Sequence, residues 1–100
     1  MAVTTKVEKN TVYAFLEGDI DHHSAKSMRE KIDREIERVR PSLLILDFKK
    51  INFMDSSGIG LIMGRYKLIK ALKGNLKIVN VSQRIERIIK LSGLYKLKNN

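Results

Sequence analysis

The first apolar segments of the chain have the residue types of β-strands. The segments Val3 to Val7 and Thr11 to Glu17 are rich in β-branched and aromatic residues, which suit the pleated surface of a sheet. Lys9 and Asn10 lie between the two segments and can form a tight turn. The pattern therefore predicts an N-terminal hairpin, which residues 18–20 then interrupt.

A helical period follows the hairpin. Five apolar residues recur at spacings of three and four along this segment: Ala25, Met28, Ile32, Ile36 and Val39. This spacing places one apolar stripe on a helix. Asp21 or Ser24 supplies an oxygen that can cap the helix start. We expect the helix to end at Pro41, because proline does not continue a helix.

The next elements alternate between strand and helix. Leu43 to Phe48 is an almost continuous apolar run, which is typical of a strand in the middle of a sheet and buried on both faces. A second helix is predicted from the serines after Asp55 to about Lys73, and a further strand over Leu76 to Val81. Ser82 is expected to cap a third helix that closes at Gly93, and residues 94–97 are expected to form a short last strand.

The second helix has a broad apolar face and a basic remainder. Its predicted stripe consists of Ile59, Ile62, Met63, Tyr66 and Ile69, which Leu61, Leu68 and Leu72 widen. Its basic residues are left for solvent or a partner: Arg65, Lys67, Lys70 and Lys73. The whole pattern predicts an α/β fold, with a mixed sheet of four to five strands and three or more helices packed against it.

The composition limits the classes of protein that fit. A chain of 100 residues is expected to form a single domain spanning residues 1–100. No apolar run approaches the roughly 20 residues that cross a bilayer, and the N-terminus has no signal-peptide pattern, so we expect a cytoplasmic protein without membrane contact. The chain has no cysteine, which excludes disulfides and thiolate chemistry.

The positive charge is unevenly placed. The formal net charge is +9, yet residues 1–55 hold ten Lys/Arg and ten Asp/Glu, and Glu86 is the one acidic residue after Asp55. Such a field attracts nucleic acid, an anionic membrane or an acidic protein, although a solvated basic surface explains it equally well. A helix-turn-helix spacing and an RNA-stacking aromatic run are both absent, so nucleic acid is the weaker expectation.

The most unusual passage runs from Asp55 to Gly64, with the sequence Asp-Ser-Ser-Gly-Ile-Gly-Leu-Ile-Met-Gly. It lies where a strand feeds the N-terminus of a helix, and unpaired N–H groups there favour a phosphate on a ligand or on a modified serine. Ser56 or Ser57 could be that serine. The alternative is that Asp55, Ser56 and Ser57 only cap the second helix.

Other kinds of site fit the residues poorly. Gly58, Gly60 and Gly64 have the spacing G-x-G-x-x-x-G, which differs from a dinucleotide-binding loop; Gly60 and Gly64 are instead expected to let the second helix lie close to the sheet or to a partner. No serine lies in a G-x-S-x-G elbow. His22 and His23 lack further ligands for a metal site. We therefore expect no cofactor and no metal.

Four segments together resemble the anti-sigma factor antagonists, which are single STAS domains. They are Gly18-Asp-Ile-Asp-His-His-Ser-Ala25, Phe53-Met-Asp-Ser-Ser-Gly-Ile-Gly60, Gly64-Arg-Tyr-Lys67 and Leu91-Ser-Gly-Leu94. The serine run is shared by many antagonists. The Asp-His-His and Gly-Arg-Tyr-Lys segments favour the sporulation branch, which acts on sigma-F, over the general stress-response branch.

The resemblance implies a non-catalytic protein that changes partners when Ser56 is phosphorylated. Unmodified, it is expected to bind a dimeric anti-sigma factor that is also a serine kinase; phosphorylation by that kinase releases it, and a PP2C-type phosphatase restores it. The expected contact surface comprises Asp21, His22, Asp55, Ser56, Ser57, Gly58, Ile59, Gly60 and Arg65. A monomer is expected when the protein is free.

The end of the chain departs from this branch. Its members continue past the Ser-Gly-Leu segment into a further strand and helix, whereas the last residue here is Asn100. A shortened or absent final helix is therefore expected.

Overall fold

The fold is an α/β arrangement of four strands and three helices in residues 2–94, the part of the chain that the computed structural model describes. The strands are β1 (Val3–Glu8), β2 (Thr11–Ile20), β3 (Leu43–Met54) and β4 (Asn75–Val79), and the helices are α1 (Ser24–Val39), α2 (Ser56–Ala71) and α3 (Gln83–Ser92). The predicted fold class and order of elements are confirmed.

The N-terminal hairpin forms where the residue pattern predicts it. β1 and β2 are antiparallel, and Glu8 pairs with Thr11 across the two-residue turn. Lys9 adopts a left-handed backbone with φ of 57°, which a turn this tight requires. The hairpin places β1 at the edge of the sheet, so β2 is free to pair on its other side.

The sheet has the order β1-β2-β3-β4, and β2, β3 and β4 are parallel. Leu44 pairs with Val12 on one side and with Leu76 on the other, and all three are buried. Fully burying one such aliphatic side chain contributes about 1.5–3 kcal/mol. The core on this sheet face is completed by residues of the three helices, among them Met28, Ile32, Ile36, Ile62, Ile69, Ile85 and Ile89.

Two strands are longer than predicted. β2 continues through Gly18 and Asp19 to Ile20, and β3 continues past Phe48 to Met54. Backbone groups form a ladder whatever the polarity of the side chains, so the exposed Lys49 and Lys50 remain in the strand. Two register shifts between β2 and β3 absorb the irregularity near Gly18, whose φ is 97°.

The prediction that the Leu43–Phe48 segment is buried on both faces is wrong. Leu44 and Leu46 are fully buried, whereas Leu43 and Ile45 on the other face are half-buried. The reason is that the buried residues of all four strands share one face, and no helix of residues 2–94 covers the opposite one. The same face exposes Phe15 to 38%.

The helix ends follow the predicted signals. α1 stops at Val39, and Arg40 caps it in the left-handed region with φ of 49° before Pro41. Ser82 Oγ accepts from Ile85 N–H at the start of α3, and Gly93 ends that helix with φ of 87°. β4 ends two residues earlier than predicted because Asn80 takes a φ of 59°.

Two predictions about the C-terminal end concern residues that are not described. Leu94 is in no strand, and the rest of the predicted last strand lies outside the described residues. The expected shortening of a final helix concerns residues after Leu94 and lies outside them as well. No helix within residues 2–94 has both the length and the apolar character that crossing a bilayer requires.

We predict that Ile78→Ala lowers the free energy of unfolding by about 2–5 kcal/mol. Ile78 is fully buried, and its replacement leaves a cavity in the core. The adjacent Lys77→Ala is the matched control, because Lys77 is exposed on the opposite face, and its effect should stay within about 0.5 kcal/mol. Urea denaturation followed by circular dichroism measures both. Similar losses for the two variants would contradict a sheet buried on one face.

Candidate functional site

The two strand-to-helix turns of the predicted site lie side by side. β2 and β3 are parallel, and Ile20 pairs with Met54 at their carboxyl ends. The N–H of Asp55 then donates to the carbonyl of Ile20 at 3.1 Å. As a result, the start of α1 and the start of α2 meet at the same edge of the sheet.

The first turn is closed by Asp21 and Ser24 together. Asp21 Oδ1 accepts from the N–H groups of His23 and Ser24 at 2.9 and 3.0 Å, and the Asp21 N–H donates to Ser24 Oγ at 3.0 Å. Ser24 Oγ also donates to the Asp19 carbonyl at 2.7 Å. Asp21 therefore accepts from the first N–H of α1, whereas Ser24 Oγ bonds only to residues before the helix. His23, at the N-cap position, has no side-chain cap bond. The Ser24 N–H bond holds the pKa of the Asp21 carboxyl below its ordinary value.

The second turn is capped by Asp55, as one of the two sequence interpretations predicts. Asp55 Oδ1 accepts from the Ser57 N–H at 2.7 Å, and the Asp55 carbonyl accepts from the Gly58 N–H at 3.0 Å. Ser56 is exposed as the first residue of α2, while Ser57 is half-buried. The cap therefore leaves the Ser56 side chain directed outward.

Gly58 lies against the end of β3. It is buried, and a methyl group added there would overlap Met54 Cγ and Sδ. Met54 is itself buried in the core and has little room to move. The absence of a side chain at Gly58 thus lets the first turn of α2 pack directly against the end of β3. This contact fixes the position of the neighbouring serines relative to the sheet.

Arg65 requires a correction. The sequence places it among the residues available to solvent or a partner, but only 6% of its surface is exposed. It shares a helical stripe with the buried Leu61 and Ile62. Arg65 Nε lies 2.7 Å from Asp33 Oδ1 on α1, and Nη1 donates to the Leu61 carbonyl at 3.3 Å.

Burial has the largest effect on the pKa values of Arg65 and Asp33. Burial lowers the pKa of Arg65 and raises that of Asp33, and the attraction between the two groups opposes both shifts. Arg29 lies close enough to act on both charges. Asp33 remains partly exposed, with 29% of its side chain accessible. The pair joins α1 to α2 immediately behind the candidate site.

The remaining predicted contact residues surround the two turns. His22 and Gly60 are exposed, Ile59 is half-buried, and the His22 and His23 rings lie 4.0 Å apart. Residues 2–94 contain no cluster of three His, Cys, Asp or Glu side chains that could hold a metal. The structure thus brings Asp21, His22 and the stretch from Asp55 to Gly60 to one edge, with Arg65 beneath it.

Sequence reasoning missed two residues beside this edge. Phe53 is 47% exposed directly before Met54 and pairs with Asp19 in the ladder. The available signal is an aromatic residue two positions before Asp55. Asp33 is the counter-ion of Arg65. Its position next to Ile32, at the border of the apolar stripe of α1, is the available signal.

The basic residues after Asp55 form no single site. Apart from Arg65, the described ones are all exposed: Lys67, Lys70, Lys73, Lys77, Arg84, Arg87 and Lys90. Lys77 projects from the sheet face opposite the core, since it alternates with the buried Leu76 and Ile78. The excess charge is therefore spread over more than one face, which favours a solvated surface over a nucleic-acid groove.

Comparison with known proteins supports the resemblance. The STAS domain family model matches residues 2–99. The chain is 39% identical over 82 residues to an anti-sigma F factor antagonist of Paenibacillus polymyxa, a match that covers 82% of this chain and 70% of the relative. The chain belongs to the STAS-domain anti-sigma factor antagonists. It is also 34% identical over 92 residues to the anti-sigma-B factor antagonist of Bacillus subtilis (strain 168), covering 92% and 83% of the two chains.

Solved structures of an antagonist share the fold. The unphosphorylated form of the anti-sigma factor antagonist SpoIIAA superposes with a TM-score of 0.87 at 32% identity, covering 98% of this chain and 86% of that one. A phosphorylated form of SpoIIAA from Bacillus superposes with a TM-score of 0.79, also at 32% identity, and covers 98% and 89% of the two chains.

We predict that Asp55→Ala destabilises the antagonist by about 1 kcal/mol, because α2 loses its N-terminal cap. Asp55→Asn is the matched control, since its side-chain oxygen can still accept from the Ser57 N–H and should keep most of the stability. Chemical denaturation of the three proteins measures the difference. Equal stability of Asp55→Ala and wild type would contradict the capping role.

A pH dependence is expected from Asp21. Its pKa is lower in the folded protein than the ordinary value of 3.8, so its ionised form favours the folded state. This contribution is complete above that ordinary value and is lost as the pH falls through the lowered pKa. Wild type should therefore exceed Asp21→Asn in thermal stability at pH 6, and the gap should narrow as the pH is lowered below 3.8. A gap that does not change with pH would contradict this assignment.

Proposed function

We propose that this antagonist exchanges partners through phosphorylation of Ser56. In its unmodified form it binds a dimeric anti-sigma factor that is also a serine kinase, and the sigma factor is set free. The kinase phosphorylates Ser56 and the complex separates, until a PP2C-type phosphatase removes the phosphate. The observation that carries the proposal is the exposure of Ser56 at the first residue of α2.

The neighbouring serine is the weaker acceptor. The Ser57 N–H is held by the Asp55 carboxylate at 2.7 Å, and its side chain faces α1 in a half-buried position. A kinase must reach the serine hydroxyl and place a phosphoryl group on it. Ser56 is exposed to that approach, whereas Ser57 is half-buried.

The electrostatics of the turn support a switch of this kind. A phosphate adds about −1.5 to −2 charge units at pH 7. On the free protein it would be hydrated and would face the positive end of the α2 dipole. Inside an interface the same charge would lose its water, which is unfavourable, whereas Asp55 lies beside it in both states. The modification therefore favours the free protein.

The switch needs no change of fold. SpoIIAA has been solved in an unphosphorylated and in a phosphorylated form, and this chain superposes well on both. In the proposed mechanism the phosphate acts at the surface rather than by rearranging α2. Buried Gly58, which seats the helix on β3, and the ion pair of Arg65 with Asp33 hold the helix in place during both states.

The partner contacts we propose lie around Ser56. Asp21, His22 and Asp55 lie on the two turns, and Ser57, Ile59 and Gly60 follow on the first turns of α2. Gly58 and Arg65 are buried, and they contribute by positioning α2. The protein would act in the cytoplasm, as a monomer when free, without a cofactor or a catalytic step of its own.

The sigma factor we propose is sigma-F, the sporulation factor. The identity is higher to the sigma-F type relative than to the sigma-B type relative, and the Asp-His-His segment at residues 21–23 favours the same branch. The sigma-B match extends over more of the chain, which makes the general stress response the second candidate. Binding to each purified anti-sigma factor of the source organism distinguishes the two.

We predict that the anti-sigma factor kinase with Mg-ATP adds one phosphoryl group to the wild type and none to Ser56→Ala. Ser56→Ala should still bind the kinase, because it removes only a hydroxyl group. Ser56→Asp should bind at least about tenfold more weakly, equivalent to about 1.4 kcal/mol. Intact-mass measurement with peptide mapping and isothermal titration calorimetry provide the readouts.

Ser57→Ala is the matched control for this experiment. It should accept the phosphoryl group at Ser56, because only the neighbouring hydroxyl is lost. Phosphate mapped to Ser57, or equal binding by wild type and Ser56→Asp, would overturn the proposed switch.

A further inference from the structure

A cleft of about 460 Å³ separates α1 from α2 beside the two turns. Lys26 and Arg29 line its α1 side, and Ser57, Gly60, Gly64 and Arg65 line its α2 side. We call this feature the α1–α2 cleft. It begins at His22 and Ser57, which are part of the candidate site, and so it continues the proposed contact surface along the helices.

The two glycines of the cleft have open space around them. A Cβ added at Gly60 or Gly64 would meet no atom within 4 Å, which excludes the expectation that they let α2 approach the sheet. Glycine in a helix interior costs about 1 kcal/mol relative to alanine. Two such residues one turn apart leave the α2 backbone uncovered at these positions, which permits close approach by another molecule.

The walls of the cleft are positively charged. Lys26 and Arg29 are exposed, and no Asp or Glu lines the cleft. Arg65 is nine-tenths buried and lines the cleft too, with its Nε 2.7 Å from Asp33 Oδ1. Asp33 is ion-paired with Arg65. Glu30, Asp33 and Glu37 line the adjoining groove on the other side of Arg29. The lining of the α1–α2 cleft itself is therefore basic, which suits carboxylate groups.

We propose that the α1–α2 cleft receives an acidic segment of the anti-sigma factor. The main chain of that segment passes over Gly60 and Gly64, and its Asp or Glu side chains pair with Lys26 and Arg29. The inference rests on the proposed function, because it names the chemistry of the same partner. It adds a second contact region beyond the phosphorylated turn and assigns the two helical glycines to recognition.

The test compares binding with stability. Gly60→Ala and Gly64→Ala should each keep or raise the thermal stability of the antagonist, because alanine favours the helix and has open space there. Each should weaken binding to the purified anti-sigma factor by about tenfold, because the added methyl group meets the partner main chain. Calorimetric titration and thermal denaturation measure the two quantities on the same samples.

Charge is tested by the double variant Lys26→Glu/Arg29→Glu. Its affinity for the anti-sigma factor should fall by more than about tenfold. Added NaCl should weaken the binding of the double variant less than it weakens the binding of the wild type. Lys77→Glu is the matched control, because Lys77 is an exposed cation on the opposite sheet face. It should bind as the wild type does.

The outcomes separate the two proposals. A wild type that does not bind the anti-sigma factor overturns both. Normal binding and Ser56 phosphorylation, with unchanged affinity of Gly64→Ala or of the double charge variant, overturns only the cleft proposal. A loss of stability in Gly64→Ala comparable to its loss of binding would assign the glycine a structural role and would also overturn it.

Discussion

The pairing of β2 with β3 determines where every candidate functional residue lies. The two strands are parallel to their last residues, and the Asp55 N–H bond to the Ile20 carbonyl continues the ladder into the turn. Parallel strands end at the same edge of a sheet, so the helices that follow β2 and β3 both begin at that edge. Asp21 and His22 lie close to Ser56 for this reason, although Ser56 is far from them in the sequence.

The ion pair between Arg65 and Asp33 holds the two helices at a fixed separation. A guanidinium placed in the interior loses hydration, and a single nearby carboxylate offsets only part of that loss. The partly exposed position of Asp33 keeps water near the pair and reduces the cost. Because one partner belongs to α1 and the other to α2, the pair sets the width of the cleft in front of it.

Local sequence patterns predict the elements well, and pairing between distant segments explains what they miss. The hairpin turn at Lys9 and the apolar stripe of α1 depend on residues close in sequence, so both could be predicted. The extension of β3 to Met54 depends on pairing with β2, which no feature of Lys49 or Lys50 reveals. Burial of Arg65 depends on Asp33 in another helix, and the one-sided sheet depends on where all three helices pack. The helix start at Asp55 and Ser56 could be predicted because its residues are contiguous.

The cap formed by Asp55 has a consequence for how long a phosphate would stay in place. The N–H groups of Ser57 and Gly58 already bond to Asp55. Few backbone N–H groups at the start of α2 therefore remain to hydrogen-bond a phosphoryl group on Ser56. Such a group would stay loosely held and open to hydrolysis by a second enzyme. The lifetime of the phosphorylated form would then depend on the phosphatase concentration in the cell rather than on the folded chain. The modification would therefore be readily reversible.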